Sequence, residues 1–191
     1  MIWGVRLARG RAARRLAAVA MTACTALPLS GCGLFGSGAE IATPSVMSIT
    51  SGEFTGGVMP PRFTCSAGRP SSPPLGWAGW PSGTKSIALV VDDSNAPITP
   101  YVYWIVFNIS PATSDILEGQ LPPLARQARN SAGIAGYQPP CPGSAGHTYR
   151  FTVYALKSVI DLPSGASLQS AWRAIAAAAI GRGRMTASAT P

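Results

Sequence analysis

Beyond residue 59 the chain is broken repeatedly by paired prolines, Pro60-Pro61, Pro73-Pro74, Pro122-Pro123 and Pro139-Pro140. Each pair removes two backbone N–H donors and fixes φ, so neither a helix nor a central strand can run through it. With glycines scattered between, this punctuation argues for short strands and ordered loops rather than a helical bundle. Three strands are predicted between the breaks. Lys85–Asp92, KSIALVVD, is apolar on both alternating faces (Ile87, Leu89, Val91; Ala88, Val90), the pattern of a central strand buried on both sides. Tyr101–Ile109, YVYWIVFNI, is aromatic and β-branched and again two-sided. His147–Leu156, HTYRFTVYAL, alternates more cleanly, with His147, Tyr149, Phe151 and Val153 on one face and Thr148, Arg150 and Thr152 on the other. Segments around Val46–Ile49 and Arg184–Ser188 are expected as edge strands. One helix is expected over Ser167–Ile180, with Ser167 as its N-cap and Gly181 as its stop. The expected fold is mainly β, a sandwich of two sheets with one late α-helix.

The first 32 residues carry a different message. Arg6, Arg9, Arg11, Arg14 and Arg15, with no acid among them, precede an apolar run from Leu16 to Leu29, then Leu29-Ser30-Gly31-Cys32. That is the order of a secretory signal and its small-residue cleavage site, and the apolar run is shorter than the ~20 residues of a spanning helix. The last four residues resemble the lipobox of bacterial lipoproteins, which implies cleavage before Cys32 and lipid on its thiol. The Arg14-Arg15 pair hints at twin-arginine export, but its alanine neighbours make that signal weak. The expected organisation is therefore a signal peptide over 1–31, a lipidated tether over 32–44 and one domain over 45–191. Tether composition (GLFGSGAEIATP after Cys32) is small and aperiodic. Two or three acyl chains would hold such a protein to a membrane stably, where one chain holds only marginally.

Removing the signal also changes the charge. The full chain is +8, from 15 basic and 7 acidic residues; five arginines leave with the signal, so ten against seven leaves +3. Three net charges scattered along a domain make no basic stripe, and nucleic acid is not an expected partner. Of four cysteines, Cys24 leaves with the signal and Cys32 takes the lipid. Cys65 and Cys141 remain, and in an oxidising compartment a disulfide between them is the favoured reading, ahead of two free thiols or a thiol enzyme.

Several motifs then line up: Ser72-Pro73-Pro74-Leu75-Gly76-Trp77, the Gly83-Thr84-Lys85-Ser86 turn, Asp93-Ser94-Asn95-Ala96-Pro97, Tyr103-Trp104-Ile105-Val106, Gly136-Tyr137-Gln138-Pro139-Pro140-Cys141-Pro142-Gly143 and His147-Thr148-Tyr149-Arg150-Phe151. Their order over roughly residues 46–187 resembles the phosphatidylethanolamine-binding protein family, closest to its bacterial Raf-kinase-inhibitor-like branch. The resemblance implies a two-sheet β-sandwich with a small pocket for anions such as phosphate headgroups. Carried over by position, it implies ligand-binding roles for Asp93, Asn95, Tyr103, Pro140, His147 and Tyr149. Three positions depart from the family pattern. Asn95 stands in place of an aspartate, Tyr103 in place of a histidine, and Pro139 in place of a glycine. Tyr103 removes a charge that titrates near neutrality but keeps a hydroxyl donor, while Pro139 removes a backbone N–H. A pocket kept in outline with altered ligand preference is expected, ahead of one that no longer binds phosphate.

Read without the resemblance, His147, the chain's one histidine, would be a structural residue at a strand entrance, and Asp93 a turn former. The leading expectation is a binding module for a small anionic or phospholipid-headgroup-like ligand, with no cofactor and no metal site. The alternative is an interaction or inhibitor module acting on an extracytoplasmic protein, with the 111–131 loop as its surface. An enzyme is not expected: hydrolysis needs a nucleophile, a base and an orienting group, and Cys141 with His147 is the evident pair, which a disulfide would abolish.

Overall fold

The computed structural model describes residues 43–95, 100–143 and 146–189. The expected signal peptide, Cys32 and most of the expected tether lie outside these residues, as do Ala96 and Pro97. Eight strands and one α-helix follow in chain order: β1 (Ser48–Thr50), β2 (Leu75–Ala78), β3 (Ser86–Asp93), β4 (Val102–Ile109), β5 (Asp115–Ile116), β6 (Arg126–Gln127), β7 (His147–Leu156), α1 (Leu168–Ala178) and β8 (Ala179–Ala189). They form two sheets, a three-stranded one ordered β1-β2-β5 and a five-stranded one ordered β6-β4-β3-β7-β8. Every pairing between these strands is antiparallel.

The two-sided strand β3 sits at the centre of the larger sheet, as its composition requires. Ile87, Leu89 and Val91 face the smaller sheet and pack with Ile49, Leu75, Trp77, Val106, Phe151 and Val153. Ala88 and Val90 face the other way, into a second core with Ile105, Phe107, Tyr154, Leu156, and Ala171, Ile175 and Ala178 of α1. The helix begins where expected, with the Ser170 N–H donating to the Ser167 hydroxyl at 3.1 Å, which satisfies one of the otherwise unpaired first-turn donors.

Its end corrects the sequence reading. The helix stops at Ala178, and Ala179 turns directly into extended backbone (φ −65°, ψ 129°) that opens β8. Gly181 is therefore a strand residue, not a helix stop. Helix propensity in the alanine run gives way to pairing with β7, which continues from Leu156 opposite Ala179 to His147 opposite Ala189. The expected Arg184–Ser188 edge strand is correspondingly longer. Glycine at 183 has a steric cause: a Cβ there would stand 2.5 Å from the Met47 carbonyl oxygen. That close approach lets the entering segment cross β8, where the Arg182 N–H donates to Pro44 and the Met47 N–H donates to Arg182, both at 2.9 Å.

The register also gives the larger sheet two distinct ends. At one, Ser86 lies opposite Leu156 and Leu156 opposite Ala179. At the other, Asp93 lies opposite Tyr149 and His147 opposite Ala189. The second end holds the candidate site.

Candidate functional site

Two adjacent aspartates close β3, and the alternation of a strand sends them to opposite faces. On the α1 face, Asp92 receives both Arg150 Nε (2.8 Å) and an Arg150 terminal nitrogen (2.6 Å) from the neighbouring strand. This two-point bond raises the Arg150 pKa and ties β3 to β7. On the opposite face, Asp93 is 4 % exposed at its side chain, and its Oδ2 lies 2.7 Å from His147 Nδ1. Its Oδ1 accepts the Asn95 N–H at 2.7 Å. With Asp93 as a carboxylate, which can only accept, His147 Nδ1 carries the proton and Nε2 is left to face a ligand. The imidazole is one-third exposed.

The tyrosines complete the cluster. Between Asp92 opposite Val102 and Val91 opposite Trp104, β4 uses one more residue than β3. This bulge places Tyr103 on the same side as Trp104, against the inter-sheet core. The Tyr103 ring meets Tyr149 edge to face at 5.5 Å, and the Tyr149 ring stacks with His147 at 6.1 Å. Burial, reinforced by the Asp93 charge, pushes the Tyr103 pKa up to about 12. Burial first, then the neighbouring Tyr103 and Asp93, raises Tyr149 as well. Both hydroxyls therefore remain donors at neutral pH. The Tyr149 hydroxyl is fully buried and makes no well-formed hydrogen bond to a described residue, although Tyr103 is close enough to couple to its titration. A buried hydroxyl without a well-formed hydrogen bond is costly, and this one lies beside the imidazole that Asp93 orients.

The six ligand-binding positions expected from sequence therefore divide. Asp93, Tyr103, His147 and Tyr149 are brought together. Asn95 lies beside them but braces the turn, its side-chain oxygen accepting the Thr148 N–H at 3.0 Å while the Ser94 N–H bonds the Thr148 carbonyl. Pro140 is buried next to the disulfide, with its carbonyl accepting the Cys65 N–H at 3.0 Å. Cys65 and Cys141 are joined by a disulfide closing 76 residues, so neither sulfur is a nucleophile. Sequence reasoning passed over Tyr101 and Gln138. The Tyr101 ring lies 4.8 Å from Tyr103, its hydroxyl donates to the Gln138 side-chain oxygen at 3.1 Å, and the Gln138 N–H holds the Tyr103 carbonyl. The period-two spacing of Tyr101 and Tyr103 was the available signal. Among the described residues no group of three or more His, Cys, Asp or Glu side chains could hold a metal ion, and no helix is long and apolar enough to cross a membrane.

The pattern described as phosphatidylethanolamine-binding protein matches residues 50–190. The chain belongs to that family. Among curated members, a UPF0098 protein of Methanothermobacter thermautotrophicus is 40% identical over 68% of this chain and 88% of its own length. A Mycobacterium tuberculosis protein that carries a lipoprotein name, LppC, is 42% identical over 73% of this chain and 70% of its own. The crystal structure of Escherichia coli YbcL, described as a new member of the mammalian family, superimposes with a TM-score of 0.69 at 30% identity, covering 77% of this chain and 99% of that one. The phosphatidylethanolamine-binding protein fold thus accounts for the two sheets and the late helix.

Proposed function

We propose that the protein is a lipid-tethered, extracytoplasmic phosphatidylethanolamine-binding-protein-like module that binds a small anionic, phospholipid-headgroup-like ligand at the Asp93–His147–Tyr103–Tyr149 cluster, and that it is a binding module rather than an enzyme. The observation that carries this reading is the buried Tyr149 hydroxyl, which makes no well-formed hydrogen bond to a described residue and has Tyr103 as its nearest polar neighbour, beside an imidazole held by a buried carboxylate. A phosphate oxygen would accept from Tyr149 and, when the imidazole carries a proton on both nitrogens, from Nε2; the adjacent carboxylate then makes the histidine pair net neutral and tempers affinity for simple anions. That balance favours a headgroup carrying its own cation over inorganic phosphate. Support for the membrane and extracytoplasmic parts comes from the lipobox-like Leu29-Ser30-Gly31-Cys32 and from the lipoprotein name of a relative. A titration with phosphoethanolamine, followed by NMR at the imidazole of His147, tests the reading. Saturable movement of the imidazole resonances supports it, and unmoved resonances at millimolar ligand sink it.

A protein-interaction reading draws on a separate observation. Leu124, inside the 111–131 loop, is 92% exposed and held at a φ of 65°, an unfavourable conformation for a branched apolar side chain. Capture of an extracytoplasmic protein that is lost on Leu124→Gly would favour that reading.

A further inference from the structure

The chain contains only two lysines, Lys85 and Lys157, and the β3–β7 register sets them side by side. The Lys85 N–H donates to the Leu156 carbonyl at 2.8 Å, one residue before Lys157. Both are exposed, at the end of the larger sheet opposite to Asp93 and His147. The eight residues of β3 separate the two ends, a span of about 23 Å at the rise of an extended strand. Exposed aliphatic side chains lie at the same end of the sheet. Val159, just past Lys157, is 64% exposed, and Val46 is 52% exposed against Pro81 and Gly181. Asp161 is the acid nearest in sequence to this group.

The upstream chain enters the domain at this same end. Pro44 and Ser45 lie on Arg182, which pairs with Tyr154 near the close of β7. Ten residues lie between Cys32 and Thr43, so a lipid on Cys32 would hold this end within about 40 Å of a bilayer even with the chain fully drawn out. Two ammonium groups with exposed aliphatic side chains at the same end of the sheet suit a lipid surface whose headgroups are anionic.

We propose that the Lys85–Lys157 end of the domain rests on an anionic bilayer and holds the Asp93–His147 end outward. The proposal depends on the reading that Cys32 is lipidated. Its test uses the mature lipidated protein in vesicles of phosphatidylcholine alone or of phosphatidylcholine with phosphatidylglycerol. Flotation with the vesicles is scored first. Acetylation of each lysine by an uncharged amine reagent is then followed by peptide mass spectrometry, in the native chain and in Ser188→Lys, which puts a reporter amine near His147. On phosphatidylglycerol vesicles Lys85 and Lys157 should react at least about five-fold more slowly than on phosphatidylcholine. They should recover in high salt, and the amine at 188 should keep its rate. Equal rates for the native lysines on floated protein, or equal slowing at 188, overturn the docking while leaving the anchor standing. Protein that floats with neither vesicle overturns the anchor itself.

Discussion

The crossing of the entry segment over β8 predicts a graded series of glycine substitutions. A Cβ at Gly183 would lie 2.5 Å from the Met47 carbonyl oxygen and 2.7 Å from its carbon. These are backbone atoms, tethered by the 2.9 Å bond from the Met47 N–H to Arg182, so no rotamer change relieves the clash. A Cβ at Gly181 would instead meet side-chain atoms of Pro81 and Val46 at 3.0 Å, a contact that a few tenths of an ångström of movement relieves. Gly68 has nothing within 4 Å. Overpacking typically costs about 1–3 kcal/mol. Gly183→Ala should fall at about 3, Gly181→Ala at about 1, and Gly68→Ala within about 0.5 kcal/mol of the parent. At about 2–4 °C per kcal/mol for a domain of this size, the melting temperature should fall by about 6–12 °C, by about 2–4 °C, and by less than about 2 °C. Thermal unfolding followed by circular dichroism measures all three. If Gly183→Ala melts together with Gly68→Ala, close backbone approach is not what requires glycine at 183, and the account of how the entry segment is seated fails.

Three further outcomes are expected. Tyr149→Phe removes a buried hydroxyl that makes no well-formed hydrogen bond to a described residue. The ligand-free protein should therefore be no less stable, while phosphoethanolamine affinity drops about ten-fold, the loss of one hydrogen bond of about 1.4 kcal/mol; calorimetry with each form reads both. Replacing Cys65 and Cys141 by serine opens the 76-residue link and should cost about 2–5 kcal/mol, measured in urea against the oxidised parent. Alkali should unfold the domain. Burial pushes Tyr103 and Tyr154 up to about 12 from an ordinary 10.0. The unfolded chain then loses these protons first. The stabilisation is whole below pH 10 and is lost as pH rises toward 12, by about 2–3 kcal/mol for each tyrosine. A difference in tyrosinate absorbance between the parent and Tyr103→Phe that titrates near pH 10 before secondary structure is lost would contradict this.

Why some of this was legible in sequence and some was not follows from where each property resides. The centrality of β3 is written in its own residues, because a strand buried on both faces must be apolar on both. The helix start is equally local, a serine placed to accept from the third residue beyond it. The helix end is not local. Ala178 and Ala179 are the same residue type, and only pairing with Leu156 on a distant strand makes one helical and the other extended. The site shows the same division. Asp93 and His147 are named by family motifs, but their 2.7 Å contact exists because β3 and β7 align Asp93 with Tyr149. A shift of one residue would turn every side chain of one strand to the other face, putting Asp93 with Arg150 and leaving His147 without its carboxylate. Tyr103 is harder still, since by simple alternation with Trp104 it belongs on the opposite face. The added residue of β4 reverses that, and a bulge is a property of two strands together. The histidine expected by the family pattern at 103 is thus replaced at a position whose orientation depends on its partner strand. A tyrosine there keeps a hydroxyl within the cluster without adding a second imidazole beside Asp93. Restoring that imidazole with Tyr103→His should therefore add a cation to the cluster as pH falls below about 6.5 and strengthen binding of inorganic phosphate at pH 5.5 relative to pH 8. Phosphate affinity that is unchanged between those pH values would show that position 103 does not set ligand preference.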